Sequence, residues 1–388
     1  RLIKSAMSEQ LGNARHDPDQ RLARLYRTWA DGGIGLAMTG NVMIDRNALG
    51  EPKNVVLDEQ SDLDAFRHWA EQGQANATQV WMQLNHPGKQ IPKFLNSQPV
   101  APSAVPLGGG LEKLFATPRA LEADEIDAII GQFARSAHLA KETGFTGVQI
   151  HGAHGYLISQ FLSPRHNQRE DEWGGSPENR RRFVLAVYEA IRGAVGPDFP
   201  VGIKLNSADF MKDGFSEEES MDVVRALTEA GIDLIEISGG TYEAPAMTGF
   251  KAKKENAREA YFLDYADAVR RHTDVPLMVT GGFRSATAMQ QALDSGATDF
   301  IGLARPMAVD PELPRTLLSN PQAKLAIKRP STGFKGLDKA LMLDITYYES
   351  QLARHADGKK PKPGLSPWIT VANTFAAMGA NAFKPRRG

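Results

Sequence analysis

The chain has 388 residues, 41% of them hydrophobic and 23% charged, and a formal net charge of -1. That balance suits a globular protein with a large core, and it offers neither the basic field of a nucleic-acid binder nor a long like-charge tail. There is no cysteine, which removes disulfides, thiolate nucleophiles, cysteine-ligated zinc and iron-sulfur clusters together. No apolar run approaches the ~18 residues of a membrane span, and "RLIKSAMSEQ" lacks the order of a signal peptide, so the expected location is cytoplasmic. An opening arginine suggests that a few residues precede it.

Short apolar runs alternate with helical segments over roughly the first 320 residues. "LIKSAM" opens the series. In "DPDQRLARLYRTWADGG", Asp17 can cap a helix and Pro18 suits its first turn. Leu22, Leu25, Tyr26 and Trp29 share one face, and Gly32-Gly33 ends it. The runs "GIGLAM", "QVWMQL" and "GVQIH" follow. "SPENRRRFVLAVYEAI" repeats the helical grammar, with Ser176 as cap, Pro177 opening, and Phe183, Val184, Val187 and Ile191 on one face. After "VGIKL", Ser216 and Glu219 are spaced as a capping box before Met221, Val224 and Leu227. "LIEIS", "PLMVT" and "FIGLA" complete eight runs.

Hydrophobicity that is continuous, not alternating, marks strands buried on both faces, as in a parallel sheet covered by helices. Eight strand-helix units predict an α/β fold, a (β/α)8 TIM barrel over residues 1–320. The rival is a doubly wound sheet. Its glycine fingerprint is missing: in "GGIGLAMTG", Gly32 to Gly40, the glycines enter a strand instead of opening a helix. From 321 to 388 the beat stops. "KALMLDITYYESQLAR" predicts one helix, "ADGKKPKPGLSP" an extended linker, and "WITVANTF" a segment packing back on the body. The expected organisation is one domain with a C-terminal appendage, without internal sequence repeats.

In a barrel, chemistry gathers where strands end. Those positions hold Ser8, Thr39-Gly40, Gln83, His151 with His154, Lys204, Ser238-Gly239-Gly240, Thr280-Gly281-Gly282 and Ala304-Arg305. Nearly all can donate a hydrogen bond and none is a carboxylate; Glu236 and Asp299 lie nearby without partners spaced as a ligand set. A glycine pair after strand seven lets backbone N–H groups approach an anion, and Arg305 after strand eight can grip it, which points to a bound phosphate. The plainer alternative is a tight turn with Arg305 paired to Asp310. Gln83 suits a ring edge alternating N–H and C=O, and Lys204 a ring that gains negative charge. A flavin mononucleotide has that edge, that charge and that phosphate.

In "QIHGAHGYLISQFLSP", His151 and His154 stand three apart. A shared metal would want a third ligand, and Gly152 and Gly155 disfavour a rigid helical pair. Two neutral imidazoles can instead donate to one oxygen, with Tyr156 placed to move a proton. Buried structural histidines are the alternative.

The motifs "KSAMSE", "QLNHPGKQ", "IHGAHGYLISQFLSPRHNQREDEWGGSPENR", "TGGF" and "GLARPMAVDPELP", in this order, resemble the FMN-dependent old yellow enzymes, or NADH:flavin oxidoreductases. The resemblance implies bound FMN, with NADH or NADPH as reductant and an enone-like small molecule as substrate. His151 and His154 would hold the acceptor's carbonyl oxygen and Tyr156 would supply the proton. Ala6, Met7, Ser8, Gly40, Gln83, Lys204, Gly282, Ala304 and Arg305 would contact the flavin or its phosphate. Ser8 stands where many members have threonine or cysteine, and Lys204 where many have arginine, a point charge in place of a planar fork. Relatives are often homodimers or homotetramers. Longer relatives carry an iron-sulfur cluster and a dinucleotide-binding domain, neither of which is expected here; no metal site, nucleic-acid contact or membrane contact is expected either. The rival functions are a metal-dependent hydrolase using His151 and His154, a scaffold without chromophore, and a flavin dehydrogenase that oxidises its substrate. Substrate specificity is expected from the loop over residues 94–115 and from Tyr347 and Tyr348 in the tail.

Overall fold

The computed structural model describes residues 1–244, 259–260, 262–325 and 327–378. Eight parallel strands close a barrel in sequential order: β1 (Leu2–Lys4), β2 (Leu36–Met43), β3 (Gln79–Asn85), β4 (Gly147–Gly152), β5 (Val201–Asn206), β6 (Leu234–Ser238), β7 (Leu277–Thr280) and β8 (Phe300–Leu303), which pairs back with β1. Every apolar run read as a strand is one. Outside the barrel, Val100–Ala101 pairs with Arg119–Ala120.

The strands bury both faces in different ways. Residues such as Val80, Leu84, Val148, Ile150, Ile203 and Ile237 belong to the large core shared with the helices. The alternate residues point to the barrel axis, as contacts that skip a strand show. At one level Ile3, Met38, Trp81, Leu234 and Met278 form an apolar plug. Trp81 fits because two neighbours are glycine: a Cβ on Gly147 would lie 2.5 Å from the indole, and one on Gly202 3.0 Å. Two residues further along each strand the filling turns polar, with Ser5, Gln83, Gln149, Lys204, Glu236 and Thr280. These are stacked side-chain layers of the kind that fill such barrels.

Glu236 is the centre of the polar layer and is 0% exposed. Its carboxylate accepts from Gln149 Nε2 at 2.7 Å and from Thr280 Oγ1 at 2.7 Å, and pairs with Lys204 Nζ at 3.0 Å. Register makes this possible, since Lys204 and Glu236 are direct partners on β5 and β6. Gly302 leaves the space that the Ser5–Thr280 hydroxyl pair occupies.

The helices obey their end signals with one correction. Helix α1 (Gln20–Asp31) is capped by Asp19, whose carboxylate accepts from the N–H groups of Arg21 and Leu22. Asp17 is instead buried and accepts from the Asp62 N–H at 2.9 Å. Before β3 comes α2 (Leu63–Gly73), before β4 α3 (Ala123–Glu142), and after β4 the short α4 (Leu157–Leu162). Ser176 and Pro177 open α5 (Pro177–Val195), and the Ser216–Glu219 box opens α6 (Glu217–Ala230). Helices α7 (Leu263–Arg270), α8 (Ala286–Asp294), α9 (Arg305–Val309) and α10 (Leu313–Ser319) complete the ring. None of the described helices is long and apolar enough to cross a membrane.

The segment "KALMLDITYYESQLAR" is two helices, α11 (Lys335–Ala340) and α12 (Leu343–Ala356), because Met342 adopts φ 44, a left-handed conformation that interrupts the turn. Residues of "WITVANTF" lie in α13 (Pro367–Met378), which packs on α12 through Val371, Leu341 and Leu343. It is α12 that packs against the body, on α1 and α9. Residues 379–388 of the predicted tail lie outside the described residues.

Breaking the central pair from one side leaves a buried cation without its counter-charge. Glu236→Leu is expected to destabilise the barrel by roughly 3–5 kcal/mol, and Lys204→Met with Glu236→Leu by much less, in reversible urea unfolding.

Candidate active site

Most of the predicted site residues stand near or just beyond the C-terminal ends of the strands, while Gly40, Gln83 and Lys204 lie within β2, β3 and β5. His151 is the last residue but one of β4, and His154 follows in a loop with φ 62, a conformation that carries its ring back beside His151. The two ring centroids are 5.2 Å apart at 75°, and the Tyr156 ring meets His151 edge-on at 4.7 Å and 83°. These three side chains therefore form one wall. Asn206 Oδ1 accepts from the His154 N–H at 3.3 Å, and Gln90 Nε2 donates to the His154 carbonyl at 3.1 Å.

Both imidazoles are held neutral. Burial pushes His151 well below its usual range, and the neighbouring His154 and Lys204 push it further. His154 falls to about 3, from burial first and then the Lys204 charge. Their tautomers follow from their partners. His151 Nδ1 accepts from the Ala153 N–H at 3.4 Å, which puts its proton on Nε2. His154 Nε2 lies 2.7 Å from Ser238 Oγ; with the serine donating, its proton is on Nδ1. Each ring then has one N–H for a ligand.

Gln83 and Lys204 lie deeper on the axis. Gln83 Nε2 donates to Gln149 Oε1 at 2.7 Å, leaving Oε1 and the second N–H uncommitted among the described residues. Lys204 is not an isolated charge, because Glu236 balances it. Beyond β7, Gly281 and Gly282 take φ 107 and 92, where any side chain would be strained. Ala304 is the N-cap of α9 and Arg305 its first residue. Arg305 forms no ion pair with Asp310, and among the described residues it has no salt-bridge partner; its charge acts on Asp344 and Tyr348 of α12.

Two predicted contacts are otherwise engaged. The Gly40 N–H donates to Tyr26 Oη at 3.1 Å, and a Cβ on Gly40 would sit 2.7 Å from the Met7 carbonyl. The glycine thus lets the Ala6-Met7-Ser8 segment run alongside β2. Ser8 Oγ lies 2.6 Å from Glu51 Oε2 and 2.9 Å from Glu349 Oε1, so its single proton faces carboxylates and not an open site. Tyr347 and Tyr348 are buried, donating to the carbonyls of Pro363 and Lys328 at 2.6 Å each. They brace the tail, and the expectation that they select substrate is corrected.

Sequence reasoning missed Gln149, Asn206, Tyr242, Glu51 and Glu349, and it named Glu236 without giving it a role. Only Glu236 gave a signal, a carboxylate inside the apolar run "LIEIS". Among the described residues no three His, Cys, Asp or Glu side chains are grouped to hold a metal ion.

A model of the NADH:flavin oxidoreductase / NADH oxidase family matches residues 1–323. The chain belongs to that family. It is 41% identical over 348 residues to the NADH-dependent flavin oxidoreductase iliE of Neonectria sp. (strain DH2), covering 83% of this chain and 45% of that one. The same-named protein of Hypocrea jecorina (strain QM6a) is 41% identical over 351 residues, covering 84% and 86%. Among solved structures, the old yellow enzyme homologue from Zymomonas mobilis superposes with a TM-score of 0.72 at 26% identity, covering 84% of this chain and 91% of that one. The family's cofactor is FMN, with NADH or NADPH as reductant. The donor set fits it: an amide edge with donor and acceptor uncommitted among the described residues, a cation on the axis, a glycine pair at positive φ, and an arginine with no salt-bridge partner among the described residues.

Buried neutral histidines make the fold acid-sensitive. His86 falls to about 4, and His154 and His166 to about 3, against a usual 6.5, in each case by burial first. Below 6.5 the unfolded chain binds protons that the folded chain refuses, so their contribution is complete above that pH and declines as pH falls toward 3. Melting temperature is expected to hold steady from about pH 8 to 7 and to drop progressively below about pH 6.5; a flat profile down to about pH 5 contradicts this.

Proposed function

We propose that the protein is an FMN-dependent ene-reductase that uses NAD(P)H to saturate the C=C bond of an α,β-unsaturated carbonyl compound or a related activated alkene. The observation that carries the reading is the wall of two neutral imidazoles and one phenol at the open end of the barrel, with His151 4.7 Å from Tyr156.

Gln83 and Lys204 would hold the pyrimidine edge of the flavin, and Gly282, Ala304 and Arg305 its phosphate, with Ala6, Met7, Ser8 and Gly40 alongside. FMN, when bound, supplies the hydride. His151 Nε2–H and His154 Nδ1–H donate to the substrate carbonyl oxygen, and their hydrogen bonds strengthen as negative charge grows there. Neutral donors serve this purpose without a standing positive charge that would favour any anion in the ground state. The Tyr156 hydroxyl passes its proton to the α-carbon. In this reading residues 1–320 carry the site and the tail from 321 braces the face that bears Ser8 and Arg305. Reductant and alkene use the same opening in turn, which gives ping-pong kinetics.

Anaerobic rapid mixing separates the two half-reactions. His151→Ala is expected to slow alkene reduction ~100- to 1,000-fold while FMN stays bound. Tyr156→Phe is expected to slow reoxidation by an enone far more than reduction by NAD(P)H. Equal effects on both half-reactions would remove Tyr156 from the proton step, and a wild-type protein that NAD(P)H reduces but no enone reoxidises would overturn the assignment.

A further inference from the structure

The geometry points to Tyr242 as a positioning residue for the proton step: its hydroxyl, 2.7 Å from that of Tyr156, orients the Tyr156 phenol and returns a proton to it after each transfer. The inference rests on the function proposed above for Tyr156, and it concerns a residue from a different strand end.

Tyr156 is buried at 6% exposure, edge-on against His151 and at the N-cap of α4, so its hydroxyl has little access to bulk water. Once its proton has gone to the substrate carbon, a buried phenolate remains, a state that a facing donor stabilises. Tyr242 is that donor. It is half-buried, with its ring 5.8 Å from Tyr156 and 6.5 Å from Phe115. The balance is simple. The O–H bond of Tyr156 breaks and a C–H bond forms at the α-carbon. The Tyr242 proton then moves to Tyr156 Oη, and a water or buffer acid reprotonates Tyr242.

The turn after β6 is fixed at several points, which is what a preset hydroxyl pair requires. Thr241 bridges to His154 in the parallel sense. The Thr241 N–H donates to the Ala244 carbonyl at 3.1 Å, and Thr241 Oγ1 accepts from the Ala244 N–H at 3.2 Å. Asn206 Nδ2 donates to the Gly240 carbonyl at 3.0 Å. On the far side Glu243 Oε1 accepts from the Gly108 N–H at 2.9 Å and lies 3.4 Å from Arg165 Nη2, while Glu243 Oε2 lies 3.3 Å from His166 Nε2. The carboxylate is thus turned away from the phenols, and Asn206 serves both sides, steadying the His154 loop and the Tyr242 turn.

The test uses FMN-loaded full-length enzyme with tyrosine Cζ labelled by carbon-13, in the wild type, Tyr156→Phe and Tyr242→Phe. Phenylalanine keeps the ring packing on Phe115 and removes only the hydroxyl. Without substrate, Tyr242→Phe is expected to raise the ionisation midpoint of the Tyr156 signal by about one pH unit, the tenfold loss of one donor to a phenolate. With substrate, reoxidation by an enone should slow about tenfold. A merely structural role would leave the midpoint unmoved, and that result would overturn the relay. The titration needs no alkene, so it fails independently of the ene-reductase assignment, which the Tyr156→Phe half-reactions test.

Discussion

A carboxylate with no access to water sits on the axis of this barrel, and much of the site is arranged around satisfying it. Glu236 is acceptable there because three donors from three other strands converge on it: Gln149 from β4, Lys204 from β5 and Thr280 from β7. Each of those commitments has a consequence one layer higher. Gln149 also accepts from the Gln83 amide and so fixes its orientation. Lys204, held in place by its counter-ion, stands at a fixed position under the histidines, and its charge adds to the burial that keeps them from taking up a proton. A buried ion pair contributes little net stability; here its value lies in geometry and field.

The layers follow from strand periodicity. Trp81 and Gln83, Gly147, Gln149 and His151, Gly202, Lys204 and Asn206, and Leu234, Glu236 and Ser238 are successive inward residues of β3 to β6. Along the axis they run from an apolar plug through a charged middle to a rim that carries His151, Asn206 and Ser238. The plug excludes water from below, which strengthens the electrostatics of the middle layer and sharpens the depression of the histidines.

The strands were legible because a strand buried on both faces carries continuous hydrophobicity, and the helix starts because Ser176, Ser216 and Glu219 have the chemistry of caps. His151, His154, Tyr156 and Arg305 were legible as donors at strand ends. What was not legible depended on distance. Ser8 meets Glu349 across 341 residues of sequence, a contact that exists only because α12 lies on α1 and α9. Glu236 looked like a stray acid in an apolar run until the β5–β6 register set Lys204 opposite it. Tyr242 gave no signal at all, since a loop tyrosine acquires meaning only from the phenol it touches. The break at Met342 lay in a stretch of good helix formers, where local propensity yielded to packing.

The central claim is that the barrel interior keeps His151 and His154 neutral and presents one N–H from each to a substrate oxygen. Nitrogen-15 NMR of histidine-labelled FMN-loaded enzyme reads this directly. At about pH 6, below the usual imidazole midpoint, both rings should show the unequal nitrogen shifts of a neutral tautomer, with the proton on Nε2 of His151 and on Nδ1 of His154. An imidazolium signal from either ring at that pH would contradict the account.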